Sequence, residues 1–382
     1  MTEHRHPASP LLDHCPETLP ASSYVDPDWY ERERQTIWAR NWVCAGRLDD
    51  LSPGTIRRFD LAGHNLILCR DRDGRVTAFH NTCRHRGSEL CIEDNAELGK
   101  LIRCPYHAWA YDTNGRLIST AYATPTDDFR KEDHSLFPVH VRLWNGFVFL
   151  NLADEPGELA PDLGLAALDN WPMADLRTGH RLVKDIDCNW KIFWENYNEC
   201  LHCPGIHPEL CDMVPVYRDG IMSPEESSNW SADTERPTAL RDKAVTWTMS
   251  GEPCGPEFPN LSADERANGH NFVTIYPTMY IVAHVDYVRA VSLMPLGPER
   301  TRLTAEWLFP AETLAQPGFD AASVAAFATI VMAQDGEACE MNQRGLRSSR
   351  YRHGRLMPQE FDIAKFHDWV RRQMNTTIGE TP

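Results

Sequence analysis

The sequence predicts an α+β protein of two successive domains: an all-β domain, then one in which helices cover an antiparallel sheet. Three observations carry that prediction. At 382 residues the chain exceeds the roughly 250 that a single core usually organises. Between about 40 and 150, short apolar or alternating runs are punctuated by Asp-Gly and Asn-Gly turns. Beyond about 155, strand-like runs are interleaved with stretches of helical spacing. The boundaries that follow are an arm and helix over 1–40, an all-β domain over 41–153 and a larger domain over 154–382.

Three hairpins justify the first domain. In "NLILCRDRDGRVTAFHNTC" an apolar run turns at Asp73 and Gly74 into an alternating run ending at a cysteine. "WAYDTNGRLIST" turns at Asn114 and Gly115, and "VRLWNGFVFLNL" at Asn145 and Gly146. The second domain opens strand-like in "ADLRTGHRLVKDIDCNWKIFWENYNECLH" and becomes helical by about Trp190. Residues 272–309 read as long strands turning at Pro298 and Glu299. "FDAASVAAFATIVMAQDGEACEMNQRGLRSS" has helical apolar spacing. "PQEFDIAKFHDWVRRQM" is an amphipathic closing helix with basic residues in its last turn, where the helix dipole favours them. No internal repeat occurs, and the first 25 residues alone lack periodicity.

Bulk properties exclude some functions. A formal charge of −17 would repel nucleic acid and anionic membrane surfaces. No run of about 20 apolar residues predicts a membrane span, and no basic-then-apolar leader is apparent, so a cytoplasmic location is expected. The 12 cysteines are too dispersed for a disulfide framework. Cys44, Cys69 and Cys188 lie in apolar surroundings and read as packed thiols, whereas others stand beside histidines at ligand spacing.

The first such cluster is "CRHRG", from Cys83, and "CPYHAW", from Cys104: Cys-x-His, eighteen residues, then Cys-x-x-His. Two thiolates and two imidazoles satisfy a tetrahedral zinc, and they equally satisfy a [2Fe–2S] cluster in which one iron takes both cysteines and the other both histidines. Each Cys–His pair is expected at a hairpin tip, where Gly87 and Pro105 suit tight loops whose N–H groups point at sulfur. These two stretches resemble the paired loop motifs of the Rieske family. The resemblance implies that Cys83, His85, Cys104 and His107 hold a Rieske [2Fe–2S] cluster. The family's usual residue after the second histidine is Gly, where this chain has Ala108.

The second cluster is "ENYNECLHCPGIH" over 195–207. On a helix, Glu199 and His202 would share a face, and a break at Pro204 and Gly205 would let His207 fold back toward His202. Two neutral imidazoles and one distant carboxylate make the facial triad suited to non-haem Fe(II), which leaves positions open for O₂. "MAQDGEACEMNQRGL" offers Asp335, with Glu337 and Glu340 as rivals. The competing reading of the cluster is a zinc knuckle of Cys200, His202, Cys203 and Cys211.

"WENYNECLHCPGIHPEL" and the "NQRGL" segment resemble, in order, the two iron-ligand segments of Rieske non-haem iron oxygenases. That resemblance selects Asp335 as the third ligand of a mononuclear Fe(II), beside His202 and His207. It implies that Glu199 bridges His202 to the Rieske His107 of a neighbouring subunit, in a head-to-tail homotrimer. Glu at this position, where aromatic-ring dioxygenases carry Asp, resembles the branch acting on carnitine, choline and glycine betaine, as does "DPDWYERERQTIWARNWVCAG". Leu201 stands where that branch often has Tyr.

A quaternary ammonium neither donates a hydrogen bond nor loses a proton, so aromatic faces recognise it. Trp194, Tyr197, Tyr276 and Tyr280 are the candidates, with Phe193 and Tyr287 also near the ligand segments, and Arg289 or His284 available for a substrate carboxylate. The resemblance implies a terminal oxygenase that uses O₂ and electrons from a separate NAD(P)H-dependent flavin/iron–sulfur reductase to demethylate or hydroxylate a small substrate such as glycine betaine. The alternatives are an aromatic-acid or heterocycle ring hydroxylase with the same iron centres, a Rieske electron carrier without oxygenase activity, and a zinc-stabilised binding module.

Overall fold

The computed structural model describes residues 10–159, 165–220 and 239–375. Contacts divide the chain into two units, Trp38–Ala160 with Tyr276–Thr278, and the remainder. The arm up to Ile37 groups with the larger unit rather than forming a separate piece before residue 41. Among the described residues no helix is long and apolar enough to cross a membrane.

The smaller unit is all β. Strands β1 (Val43–Arg47), β2 (Thr55–Leu61), β3 (His64–Arg70), β4 (Val76–His80), β5 (Ala96–Glu97), β9 (Pro138–Trp144) and β10 (Phe147–Asn151) form one antiparallel sheet in the order β1-β10-β9-β4-β3-β2-β5. A second sheet holds β6 (Ile102–Arg103), β7 (Ala110–Tyr111) and β8 (Leu117–Ser119). The β9–β10 hairpin closes as the sequence predicts. Asn145 and Gly146 both take positive φ, 47° and 79°, and Trp144 pairs with Phe147. A Cβ on Gly146 would stand 2.6 Å from the Arg47 guanidinium, which would have to move, and the positive φ also favours glycine here.

The larger unit is built on a five-stranded antiparallel sheet, β11 (Arg177–Ile186), β12 (His270–Ile275), β13 (Met279–His284), β14 (Val288–Gly297) and β15 (Arg300–Phe309), in the order β11-β15-β14-β13-β12. Helices Trp190–Tyr197 and Ala321–Leu346 pack on it, and Phe361–Asn375 packs against the first of these. Asn189 and Asp320 start the first two by accepting N–H bonds from Lys191 and Ala322 through their side chains.

Within the unpatterned N-terminus the structure describes residues 10–25, and residues 1–9 lie outside the described residues. Its backbone pairs with the 351–358 segment, through Thr18 N–H to Gly354 C=O and Ala21 N–H to Arg352 C=O. Buried Glu33 then pairs with buried Lys191 at 2.6 Å and accepts from the Trp190 indole at 2.8 Å. Hydrogen bonding to the rest of the unit, invisible to periodicity, holds this arm.

Candidate metal centres and substrate cavity

In the smaller unit, Cys104 and His107 lie in the β6–β7 connection, a true hairpin tip closed by Cys104 N–H to Trp109 C=O. Cys83 and His85 do not sit at one. Their loop joins β4 to β5, which pair with other strands and not with each other. Gly87 N–H to Cys83 C=O and Cys83 N–H to Ser88 C=O tighten it instead. Both cysteines belong to the unit's apolar core at 2% exposure. His85 is exposed and His107 half-buried, with their rings 4.7 Å apart.

The donors therefore stand as a thiol pair beneath an imidazole pair, which suits two irons taking unlike ligands. Tyr111 Oη lies 3.3 Å from Cys83 Sγ and accepts the Arg84 N–H at 3.0 Å. Partial desolvation, and then the Arg86 charge, hold the His107 pKa below the ordinary imidazole value, which favours the neutral form a metal needs. Ala108 adopts φ 59°, the left-handed conformation that explains the usual glycine.

In the larger unit the ligand segment is not one helix. Trp190–Tyr197 ends with Asn198 as its C-cap, so Glu199 and His202 do not share a helical face. Glu199 itself folds the segment: its carboxylate accepts the N–H groups of Leu201 and His202 and the Nδ1–H of His202. Nor does Pro204 break a helix. It occupies the first turn of a short one, Cys203–Ile206, as proline's missing N–H allows. His207 nevertheless returns to His202, their Nε2 atoms 3.2 Å apart.

Asp335 completes the group from the long helix. Its Oδ1 lies 3.0 Å from His207 Nε2 and 3.5 Å from His202 Nε2. Glu337 is exposed and Glu340 accepts the Asp187 N–H, so neither rival joins the group. Adjacent donors of a six-coordinate ion with bonds of about 2.1 Å stand about 3 Å apart, close to this triangle.

The outer partners fit as well. Glu199 takes the Nδ1–H of His202, and Gln334 Oε1 takes that of His207 at 2.7 Å. Both imidazoles are thereby fixed in the tautomer that turns a bare Nε2 toward the shared centre. Gln334 is held in turn by Glu209 at 3.0 Å. Burial opposes charge on His202, but the Asp335 and Glu199 carboxylates outweigh it and raise its pKa to about 9. Burial works against the Asp335 carboxylate too, yet the two imidazoles hold its pKa below the usual value. A divalent metal would take the place of those protons. Cys203 approaches His202 at 3.9 Å, but its sulfur is bonded to Cys200, and Cys211 donates to the Cys203 carbonyl. A zinc knuckle is thus left with Cys211 as its one free thiol.

Two cavities flank this group. One, of about 380 Å³, is lined by His202, His207 and Asp335 together with Tyr197, Tyr217, Trp247, Phe272, Tyr280 and Arg289. The other, of about 320 Å³, opens onto Tyr24, Glu195, Arg355 and Glu360. Glu199, His202 and Asn196 line both.

Of the aromatic candidates, Tyr197 and Tyr280 reach the first cavity, with ring centres 4.2 Å apart. Trp194 is fully buried behind them, packed on both rings. Tyr276 lies in the β12–β13 turn before a cis proline and does not line the cavity. Sequence reasoning missed Tyr217, Trp247 and Gln334. The only signal for Gln334 was its place beside Asp335.

Comparison with known proteins places these features in a known context. The family described as Rieske [2Fe-2S] domain matches residues 41–130, and Ring hydroxylating alpha subunit (catalytic domain) matches 173–376. A glycine betaine monooxygenase oxygenase subunit of Pseudomonas aeruginosa (strain UCBPP-PA14) is 27% identical over 95% of this chain and 90% of its own length. A carnitine monooxygenase oxygenase subunit of Acinetobacter pittii is 29% identical over 89% and 88%. The fold matches that of a quaternary ammonium Rieske monooxygenase crystallised with L-carnitine, at TM-score 0.70 and 22% identity over 94% of this chain and 96% of that one.

Proposed function

We propose a function for a chain that belongs to the Rieske non-haem iron oxygenases: it is the oxygenase component that hydroxylates an N-methyl group of a quaternary ammonium compound such as glycine betaine. Membership implies a Rieske cluster and a mononuclear iron. In this reading Cys83, His85, Cys104 and His107 would hold the first, and His202, His207 and Asp335 the second. When bound, the two groups supply electrons one at a time and activate O₂ for insertion into a C–H bond. The electrons come from a separate NAD(P)H-dependent reductase, and the reaction is placed in the cytoplasm.

The observation that carries this reading is the cavity in which the histidine–histidine–aspartate triangle opens onto tyrosine and tryptophan rings. Tyr197, Tyr280 and Trp247 line that cavity, and rings of this kind attract a cation that has no proton to donate, by about 2 kcal/mol or more when desolvated. Glu199 and Gln334 keep both imidazoles aimed at the centre through Nδ1. Glu199 is further proposed to reach His107 of a neighbouring copy in a homotrimer, supported by its place on the wall of the second cavity. With two electrons and two protons, one oxygen atom enters the methyl C–H bond and the other leaves as water. The resulting hemiaminal collapses to formaldehyde and the demethylated amine.

A single anaerobic turnover tests this. The iron-loaded protein is reduced chemically, mixed with glycine betaine, choline, carnitine or a set of aromatic acids, and exposed to O₂. Formaldehyde stoichiometric with cluster oxidation is expected from an N-methyl compound. A ring-hydroxylated product alone would overturn the substrate class while keeping both iron centres.

A further inference from the structure

Among the described residues no carboxylate answers the charge of Arg289. It stands on β14, only 5% exposed, and lines the same cavity as His202, His207 and Asp335. Its Nε is buried without a hydrogen-bond partner, and among the described residues its guanidinium joins no ion pair. The described groups packed against it are neutral. The Trp247 ring lies 5.9 Å from its central carbon. His270 and His284 are held uncharged, by burial first and by the Arg289 charge as well. Tyr217, Tyr280 and Tyr287, which also feel that charge, keep their protons. The cavity's carboxylates nearest the chemistry are engaged elsewhere, Asp335 with two imidazoles and Glu199 with His202.

An arginine is almost never fully buried unless it is paired, because removing its hydration is unfavourable. Its planar fork of donors matches a carboxylate bidentately. The same charge would repel a plain organic cation from this small cavity, unless that cation brought its own anion. The geometry points to Arg289 as an anion subsite that takes the carboxylate of the substrate, so that the preferred substrate is a zwitterion carrying both a quaternary ammonium and a carboxylate. This rests on the quaternary ammonium reading for the cationic half only. The anionic half stands on Arg289 itself.

Calorimetric titration of the iron- and cluster-loaded protein, kept anaerobic, tests it with four probes: glycine betaine, carnitine, choline and benzoate. Wild type is expected to bind a betaine roughly 100-fold or more tightly than choline. Arg289→Gln, with unchanged iron content, should lose roughly that factor for betaines and gain or keep choline. The ligand-free Arg289→Met protein should melt no lower than wild type, because no carboxylate is left unpaired. A fall of several degrees would make Arg289 a structural partner and overturn the subsite. So would the absence of any carboxylate whose binding depends on Arg289. Arg289-dependent binding of benzoate without binding of either betaine would keep the subsite and overturn the quaternary ammonium reading. Equal, Arg289-independent binding of choline and betaine would do the reverse.

Discussion

The two donor groups use histidine in opposite ways. In the all-β unit the thiols are buried and the imidazoles stand outward, His85 exposed and His107 half-buried. In the larger unit His207 is buried, and each imidazole is gripped through Nδ1 by a side-chain acceptor, Glu199 or Gln334. The contrast is one of task. A centre that passes electrons gains from ligands at the surface, whereas one that meets O₂ and substrate needs fixed orientation and little water.

The sharpest way to break the comparison is to remove one group at a time. Asp335→Ala or His207→Ala should strip the mononuclear iron and reduce turnover to background while visible spectrum and acid-labile sulfide stay normal. Cys104→Ser should do the converse. Loss of both metals from either change would mean that the two sites do not form independently. Glu199→Gln, whose amide oxygen can still take the Nδ1–H of His202, is expected to keep both metals and still abolish turnover, and coupled turnover at the wild-type rate would remove its bridging role.

Acid should also separate the units. Burial pushes His270 of the larger unit down to about 4 from an ordinary value near 6.5. Its neutral form is therefore the folded one, and below about 6.5 the unfolded chain binds the extra proton. Stability is full above that pH and falls by about 1.4 kcal/mol per unit on the way down to about 4. Buried His284, shifted in the same direction, adds to the loss. Calorimetry at a series of pH values should show the larger unit weakening across this window. His270→Asn should flatten the slope, and an unchanged slope would assign the acid sensitivity elsewhere.

Gln334→Leu removes a grip and leaves every ligand in place, so iron affinity or turnover should drop 10- to 100-fold. The cluster spectrum should not change. The smallest effect lies in the other unit. Ala108→Gly relieves a left-handed alanine and should raise stability by up to about 1 kcal/mol, with the cluster retained. Destabilisation would show that the loop needs the Ala108 methyl.

How much of this could be read in the sequence follows from how local each feature is. The Asn145–Gly146 turn was legible because two positive-φ residues make the hairpin by themselves. The convergence of His202, His207 and Asp335 was legible from the resemblance, though not by the helical route that spacing suggested. No Gly or Pro marks the helix end at Asn198, and a side chain, Glu199, sets the turn that follows. Trp194 and Tyr197 look equally suited to a pocket in the sequence, and tertiary packing alone buries one and opens the other. Arg289 was visible as a residue. Its lack of a partner is a property of everything around it, which no spacing encodes.

The two cavities that share Glu199 and His202 form, in effect, a bulkhead. The side chains that line both include a carboxylate hydrogen-bonded to an imidazole. In the proposed bridging role such a pair would relay charge while leaving no passage for a molecule. In the proposed reading, the side that receives the electron and the side that holds the substrate are divided by this one pair.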